Sequence, residues 1–367
     1  MPALYVHVPF CEKKCFYCSF VVAIGKQHQV DTYLDCLELE AQKYTGTMVE
    51  TVYLGGGTPT FLSIAQLQRL FVILRENFKY SSQAEFTAEA NPEDLDPTKA
   101  KILYDLGVNR ISLGAQTFKD NYLKYLGRCH DAKRALTAYE ILRKTGFNNI
   151  NVDLMYAFPD QTAEELAEDV KTVTGLRSEH LSLYTLTVDE NSRFYAQKIQ
   201  QKNKHEQGGQ YEQVVALLEK FGFPQYEISN FAKPGHESRH NTNYWLGGNY
   251  IGLGVGAHSH HDGERFWNTS RFADYLTNLR EGKSPQEGIE RLNVEQRLVE
   301  SLLLGLRRNE GVDLQDMEDR FGCALAPDKK QKIKAFIQEG FLWQVGRRIG
   351  TYLKGKLVLD ELSAQLF

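Results

Sequence analysis

Cys11, Cys15 and Cys18 lie in the segment YVHVPFCEKKCFYCSF, a C-x3-C-x2-C spacing. A thiolate is a soft, anionic ligand that suits iron–sulfur clusters and zinc. Structural zinc closes its shell with four protein ligands. A cubane cluster held by three thiolates leaves one iron open to a chelating ligand. The triplet alone also admits a zinc knuckle completed by a histidine, or three unrelated thiols. The other cysteines, Cys36, Cys129 and Cys323, are scattered. Six cysteines in 367 residues make no disulfide framework. That usage fits a reducing cytoplasm.

A second group of polar residues falls late in, or just after, strand-like runs. Gly55, Gly56, Gly57, Thr58 and Pro59 follow TVYLG (51–55), and Glu89 and Gln116 sit at the ends of AEFTAEA (84–90) and RISLGAQ (110–116). Asp153 lies within INVDLMYAF (150–158). Side chains alternate along a strand, so Thr87 shares a face with Glu89, and Ser112 and Gly114 with Gln116. Polar groups aimed inward cost free energy unless a partner or ligand satisfies them. Salt bridges from Glu89 and Asp153 to Arg110 or Arg128 would be the plain structural alternative. The glycines after the second run suit a backbone that approaches a polar ligand closely.

The elements that must position these groups alternate regularly. The three runs above, TVYLG, and the runs LYVHV (4–8) and HLSLYTL (180–186) read as six strands. Amphipathic stretches separate them: Asp31 to Tyr44, Ser63 to Phe78, Pro97 to Leu106, Asp131 to Thr145 and Thr162 to Thr174. Ser63 and Thr162 offer N-caps, the latter in the capping box TAEE, and Asp31 precedes its helix. Gly107 and Gly146 suit helix C-termini. Six β/α units in a row imply parallel strands with right-handed crossovers. No dinucleotide fingerprint follows the first strand, which favours an α/β, partial (β/α)6 barrel over a doubly wound sheet. Barrel chemistry sits at the C-terminal strand ends, where the polar residues fall.

Beyond residue 187 the pattern changes. An amphipathic helix is expected over Tyr211 to Phe221, followed by strand-like QYEISNF (225–231) and YIGLGVGAHSHH (250–261). His236, His240, His258, His260 and His261 crowd this region, and neutral imidazole is a ligand for metals and haem. Three helices then run from Asn293, with a hairpin-like turn expected at Lys354–Gly355, a winged-helix-like layout. The division predicted is 1–215 barrel, 216–290 α+β extension and 291–367 mainly helical domain. A net charge of -4 does not point to nucleic acid. Charges at Glu12, Lys13 and Lys14 exclude a signal peptide reading, and Glu300 breaks the apolar run 298–306.

The motifs YVHVPFCEKKCFYC, YLGGGTPT, AEANPED, GVNRISLGAQTF, LGRCHDA and NVDLMYAFPDQT resemble the oxygen-independent coproporphyrinogen oxidase (HemN) family of radical SAM proteins. EISNFAKPGHESRHNTNYW and YIGLGVGAHS are similar to its HemW-type haem chaperone branch. The resemblance implies a 4Fe-4S cluster on Cys11, Cys15 and Cys18, with Tyr17 as the aromatic before the third thiol. It implies S-adenosylmethionine at Tyr5, Gly56, Glu89 and Gln116. Gly57, Thr58, Arg128, Asp153 and Thr187 match positions that hold a second such molecule in the oxidase. His240 matches the branch's H-N-x-x-Y-W motif with Asn241, Tyr244 and Trp245; as an imidazole beside aromatic walls it is the expected haem ligand, with His7, His258 and His260 next, and the plain alternative is a histidine that hydrogen-bonds a backbone carbonyl and shapes its loop. The implied partners are haem as cargo, a haem-acceptor protein that is membrane-associated or free, and an electron donor such as flavodoxin or ferredoxin. Two departures argue against decarboxylation of coproporphyrinogen. The oxidase has a further Cys two residues after the third cluster thiol, where Phe20 stands here, and it carries a longer segment before its first strand, which begins here at Leu4.

Overall fold

The structure is a computed structural model that describes residues 1–366. Six strands form in the order the alternation predicts: β1 (Ala3–Val8), β2 (Thr47–Gly56), β3 (Phe78–Ala90), β4 (Arg110–Gln116), β5 (Ile150–Tyr156) and β6 (His180–Thr185). Each is hydrogen-bonded parallel to the next. The crossovers carry α1 (Val30–Ala41), α2 (Ile64–Asn77), α3 (Pro97–Asp105), α4 (Asp120–Leu126), α5 (Ala132–Thr145) and α6 (Ala163–Gly175). Strands covered on both faces bury both alternations, as in β1, where Leu4, Val6 and Val8 face one way and Ala3 and His7 the other, all buried.

The local signals behave as their chemistry requires. Ser63 and Thr162 each close a capping box, with Gln66 and Glu165. Asp31 falls inside the first turn of α1 rather than before it, where a carboxylate still complements the helix dipole. Gly146 ends α5 in the left-handed conformation. The helix expected from Tyr211 begins at Lys204, because the Asn203 side chain accepts from the Glu206 amide and starts it early.

The 216–290 segment adds strands to both edges of the barrel sheet. β7 (Gln225–Glu227) and β8 (Asn230–Ala232) form a hairpin against β6. β9 (Tyr250–Leu253) runs parallel to β1, and β10 (His258–His261), β11 (Glu264–Asn268) and β12 (Gln286–Arg291) continue antiparallel. The result is one twelve-stranded sheet in the order β12-β11-β10-β9-β1-β2-β3-β4-β5-β6-β8-β7. A strand at a sheet edge exposes unpaired N–H and C=O groups, and these additions cover both edges of the parallel core.

The C-terminal region has its own core around Leu298, Leu302, Ile333 and Leu342. Helices Val294–Leu306, Leu314–Phe321 and Pro327–Gln338 precede a hairpin of Leu342–Val345 and Arg348–Thr351, the wing of the expected layout. The hairpin turn is at Gly346–Arg347, not at Lys354–Gly355. Residues Leu353–Lys356 and Leu359–Leu366 are helical instead. Leu359, Leu362 and Leu366 recur at helical spacing and bury one stripe in that core. Among the described residues, no helix is long and apolar enough to cross a membrane.

One buried carboxylate ties α1 to the added strands. Glu40 accepts from the Gly254 amide at 2.8 Å, Tyr275 Oη at 2.6 Å and Asn268 Nδ2 at 2.6 Å. Burial raises its pKa, and those three donors oppose the shift. Removing it strands three buried donors, each costing about 1–3 kcal/mol when unsatisfied. Glu40→Ala is therefore expected to lower stability by about 3 kcal/mol or more, read as a lower urea midpoint. A loss below about 1 kcal/mol would mean that water replaces the carboxylate.

Candidate functional site

The Cys loop leaves β1 at Pro9 and is seated on the turn that follows β2. The Gly57 amide donates to Val8 O at 2.9 Å, the Thr58 amide to Phe10 O at 2.8 Å and the Ala23 amide to Pro9 O at 2.7 Å. A Cβ on Gly57 would lie 2.7 Å from the carbonyl carbon of Pro9, so only glycine lets the two turns touch. Gly56 has φ +106°, and a Cβ there would overlap the His7 ring. The Gly56 amide donates to Glu89 Oε2 at 3.2 Å. This corrects the sequence reading of the glycines. The amides of residues 56 to 58 bind protein rather than stand free for a ligand, and at Gly56 and Gly57 the missing side chain admits the first strand and its loop.

Cys11, Cys15 and Cys18 line one cavity of about 390 Å³ with Glu89, Gln116 and Asp153. That volume is within the ~300–1,000 Å³ usual for ligand pockets. Tyr17, Gly56, Gly57, Thr58, Arg128 and Thr187 also border it. The strand-end rule thus brings together every expected site residue except two, Tyr5 and His240.

The electrostatics of this cavity are unusual for a plain core. Burial, then the Asp153 charge, pushes the Glu89 carboxyl up to about 7, against bonds from Tyr53 Oη at 2.9 Å and Gly56 N. Burial also raises Asp153, which accepts from Ser112 Oγ at 3.0 Å and Asn151 Nδ2 at 2.8 Å. Neither carboxylate is paired with Arg110 or Arg128. Arg128 instead donates to Asn91 Oδ1 at 2.6 Å and Gly114 O at 2.9 Å, and lies 3.5 Å from Cys15 Sγ. Its Nε has no acceptor although buried. Cys11 Sγ lies 3.2 Å from Thr58 Oγ1, and burial pushes this thiol up to about 12 and raises Cys18. Gln116 ends β4 with φ +68°, a strained conformation for a residue with a side chain.

A three-thiolate cluster fits this set. Three soft donors share one wall, a buried guanidinium lies beside one of them to offset anionic charge, and two carboxyls across the cavity await a cation. Among the described residues no three His, Cys, Asp or Glu side chains converge on a point that could hold a single ion. The thiols line a wall instead.

Two expectations need correction. Tyr5 does not border the cluster cavity. It lines a neighbouring cavity of about 600 Å³ that shares Gly56 and Glu89 with the first, with its hydroxyl 3.0 Å from His7 Nδ1. His240 borders neither cavity. It is buried, with Nδ1 at 2.8 Å from Thr51 Oγ1 and Nε2 at 2.9 Å from Tyr244 Oη. Burial lowers its pKa to about 3. Neither ring nitrogen is free for a metal, and the residue holds Tyr244 in place instead. His7 is equally engaged, by Tyr5 and by Val21 O at 2.8 Å.

Sequence reasoning missed Tyr53, which anchors Glu89, and Asn91, which holds both Arg128 and, at 2.9 Å, Thr58 Oγ1. Tyr53 shares the alternation of Gly55, and Asn91 directly follows the third strand, so both positions carried a usable signal.

The chain matches the Radical SAM superfamily over residues 5–173 and the HemN C-terminal domain over residues 292–358. It is 36% identical to the haem chaperone HemW of Bacillus subtilis, covering 99% of this chain and 98% of that protein. It is 38% identical to the Escherichia coli haem chaperone HemW over 70% of this chain and 69% of that one. The structure of coproporphyrinogen III oxidase (HemN) from Escherichia coli, a radical SAM enzyme, aligns with TM-score 0.88 at 26% identity, covering all of this chain and 90% of that one.

The Glu89 shift has a testable sign. Its folded pKa of about 7 lies above the unfolded value of about 4.3, so its contribution to stability is complete below that value and is lost as pH rises through 7. Ligand-free protein is expected to lose about 4 kcal/mol from this group between those limits. Glu89→Gln should flatten that part of the stability–pH curve. Superimposable curves for the two proteins would show that Glu89 does not titrate there.

Proposed function

Because the chain belongs to the HemW family of radical SAM proteins, we propose that it binds haem and passes it to acceptor proteins, using a cluster-bearing scaffold. Residues Cys11, Cys15 and Cys18 would hold a 4Fe-4S cluster, with Tyr17 packed beside them. Glu89 and Gln116 would hold S-adenosylmethionine, while Gly56, Gly57, Thr58, Arg128, Asp153 and Thr187 border the remaining space. When bound, such a cluster supplies an open iron and an electron for S-adenosylmethionine. The chain's own part is binding and exclusion of water. The Glu89 and Asp153 carboxyls await a cationic amino group, which would favour their ionised forms. Arg128 lies beside Cys15 and would offset part of the anionic charge of a bound cluster. Reduction of the cluster calls for an electron donor of the flavodoxin or ferredoxin kind.

The observation that carries delivery over oxidation is Phe20. It is 63% exposed and lines both cavities. At this position the oxidase resemblance places a thiol. An exposed aromatic ring can neither donate a proton nor ligate iron. It offers a flat apolar surface between the cluster cavity and its neighbour, suited to a tetrapyrrole face. The oxidase reading retains one support, the similarity of the whole chain to the coproporphyrinogen oxidase structure.

Anaerobically reconstituted protein is expected to contain iron and acid-labile sulfide in near-equal amounts, and Cys15→Ala to lose both along with the brown colour. Retention of one zinc by a colourless protein would refute the cluster assignment. The same loaded sample should bind haemin yet give no protoporphyrinogen from coproporphyrinogen with S-adenosylmethionine and reductant present. Sustained turnover in that assay would move the function to the oxidase.

A further inference from the structure

The cavity of about 600 Å³ adjoins the cluster cavity at Gly56 and Glu89. The two cavities share Ser19, Phe20, Gly56 and Glu89. Its floor is β10, where side chains alternate. Ser259 turns inward, buried, and its hydroxyl accepts from the Gly252 amide at 2.9 Å. His258 and His260 therefore share the other face, and both border the cavity. Tyr244, Trp245 and Tyr250 wall it, with Tyr244 and Tyr250 edge to face at 4.7 Å. Leu304, from the helix Val294–Leu306 of the C-terminal region, borders it as well.

The four imidazoles nearest this space are not equivalent. Both nitrogens of His7 and of His240 are engaged, as described above. His258 lies on the Trp267 ring at 5.7 Å, nearly parallel, is exposed, and has no hydrogen bond that sets its tautomer. His260 is different. Its Nδ1 lies 3.2 Å from Gly248 O. A carbonyl oxygen can only accept, so Nδ1 carries the proton and Nε2 of the neutral ring holds a bare lone pair. A ring N–H donated to a backbone carbonyl is the arrangement that orients metal-ligating histidines and raises their basicity. The cation of the wall, Arg265, is already paired with Glu300 at 2.8 Å and Glu290 at 3.2 Å. Its buried Nε has no acceptor and borders the cavity.

We propose that this cavity is the cargo site and that His260 Nε2 is the axial ligand of haem iron. The proposal rests on the haem reading above and adds the place and the ligand. Imidazole is the usual protein ligand for haem iron. Tyr244, Trp245 and Phe20 provide faces for the macrocycle, and the unpartnered Nε of Arg265 is a donor for one of its carboxylates. His258 lies two residues away on the same strand face, about 7 Å along it, too far for both rings to ligate one face of the same iron. The cargo and the cluster would occupy adjoining cavities that share Ser19, Phe20, Gly56 and Glu89.

The test is a haemin titration of the cluster-loaded protein, followed at the Soret band. His260→Ala is expected to bind at least about tenfold more weakly with a shifted band, and millimolar imidazole should restore the wild-type spectrum. His258→Ala should keep the wild-type band position. Leu304→Trp fills the cavity from the opposite wall and is expected to weaken binding by a similar factor, with iron and sulfide content unchanged. If wild type binds haemin and His260→Ala binds it with the same affinity and spectrum, the ligand assignment is wrong while the haem reading stands. Unimpaired titration of Leu304→Trp would likewise remove the cargo from this cavity. A loaded wild-type protein that binds no haemin would overturn the haem reading itself.

Discussion

The contact between the Cys loop and the turn after β2 is the constraint on which the site depends. Two amides of that turn donate to carbonyls of the β1 exit, and the absent side chain of Gly57 makes the approach possible. Substituting Gly57 would push the loop away from the sheet, since the atoms it would strike are backbone and cannot rotate aside. The thiols ride on this loop, and their distance from Glu89 is set by the same seat, because Gly56 also donates to Glu89. One local steric requirement thus places the soft ligands and the carboxyl relative to each other.

The cavity beside that loop concentrates ionisable groups in a way a structural core avoids. Burial raises the cost of ionising both Glu89 and Asp153, the Asp153 charge adds to that of Glu89, and neither carboxylate is in an ion pair. Hydrogen bonds from Tyr53, Ser112 and Asn151 offset part of the penalty but do not remove it. Arg128 is held apart from the carboxylates by Asn91 and Gly114, so it remains available to the thiol side of the cavity. Separated opposite charges of this kind store free energy that a ligand of matching charge distribution recovers on binding.

The added strands do more than cover an edge. By extending the sheet beyond β1 they help line a second cavity that shares residues with the first. Glu40 anchors this extension to α1, and His240 anchors the helix Arg239–Trp245 to Thr51 on β2. Both anchors are buried polar groups whose partners are distant in the chain, which fixes how β9 and its neighbours sit against the barrel. Phe20, exposed at the junction, belongs to both spaces.

Much of this was legible in the chain. The thiol spacing, the six strands, the N-caps at Ser63 and Thr162 and the polar strand ends of Glu89, Gln116 and Asp153 follow from side-chain periods and local backbone chemistry, which act over a few residues. The turn misplaced to Lys354–Gly355 shows the limit of that range: glycine and lysine suggest a turn, but Leu359, Leu362 and Leu366 find a core to bury against and the segment stays helical. The histidines show it more sharply. His240 and His260 are alike as residues beside aromatic neighbours. One meets Thr51, 189 positions away, and spends both nitrogens; the other meets Gly248 O and keeps one free. Residue type and spacing determined which groups could ligate. Only the tertiary structure decided which lone pairs remain, because hydrogen-bond partners are assigned by proximity in space and not along the chain.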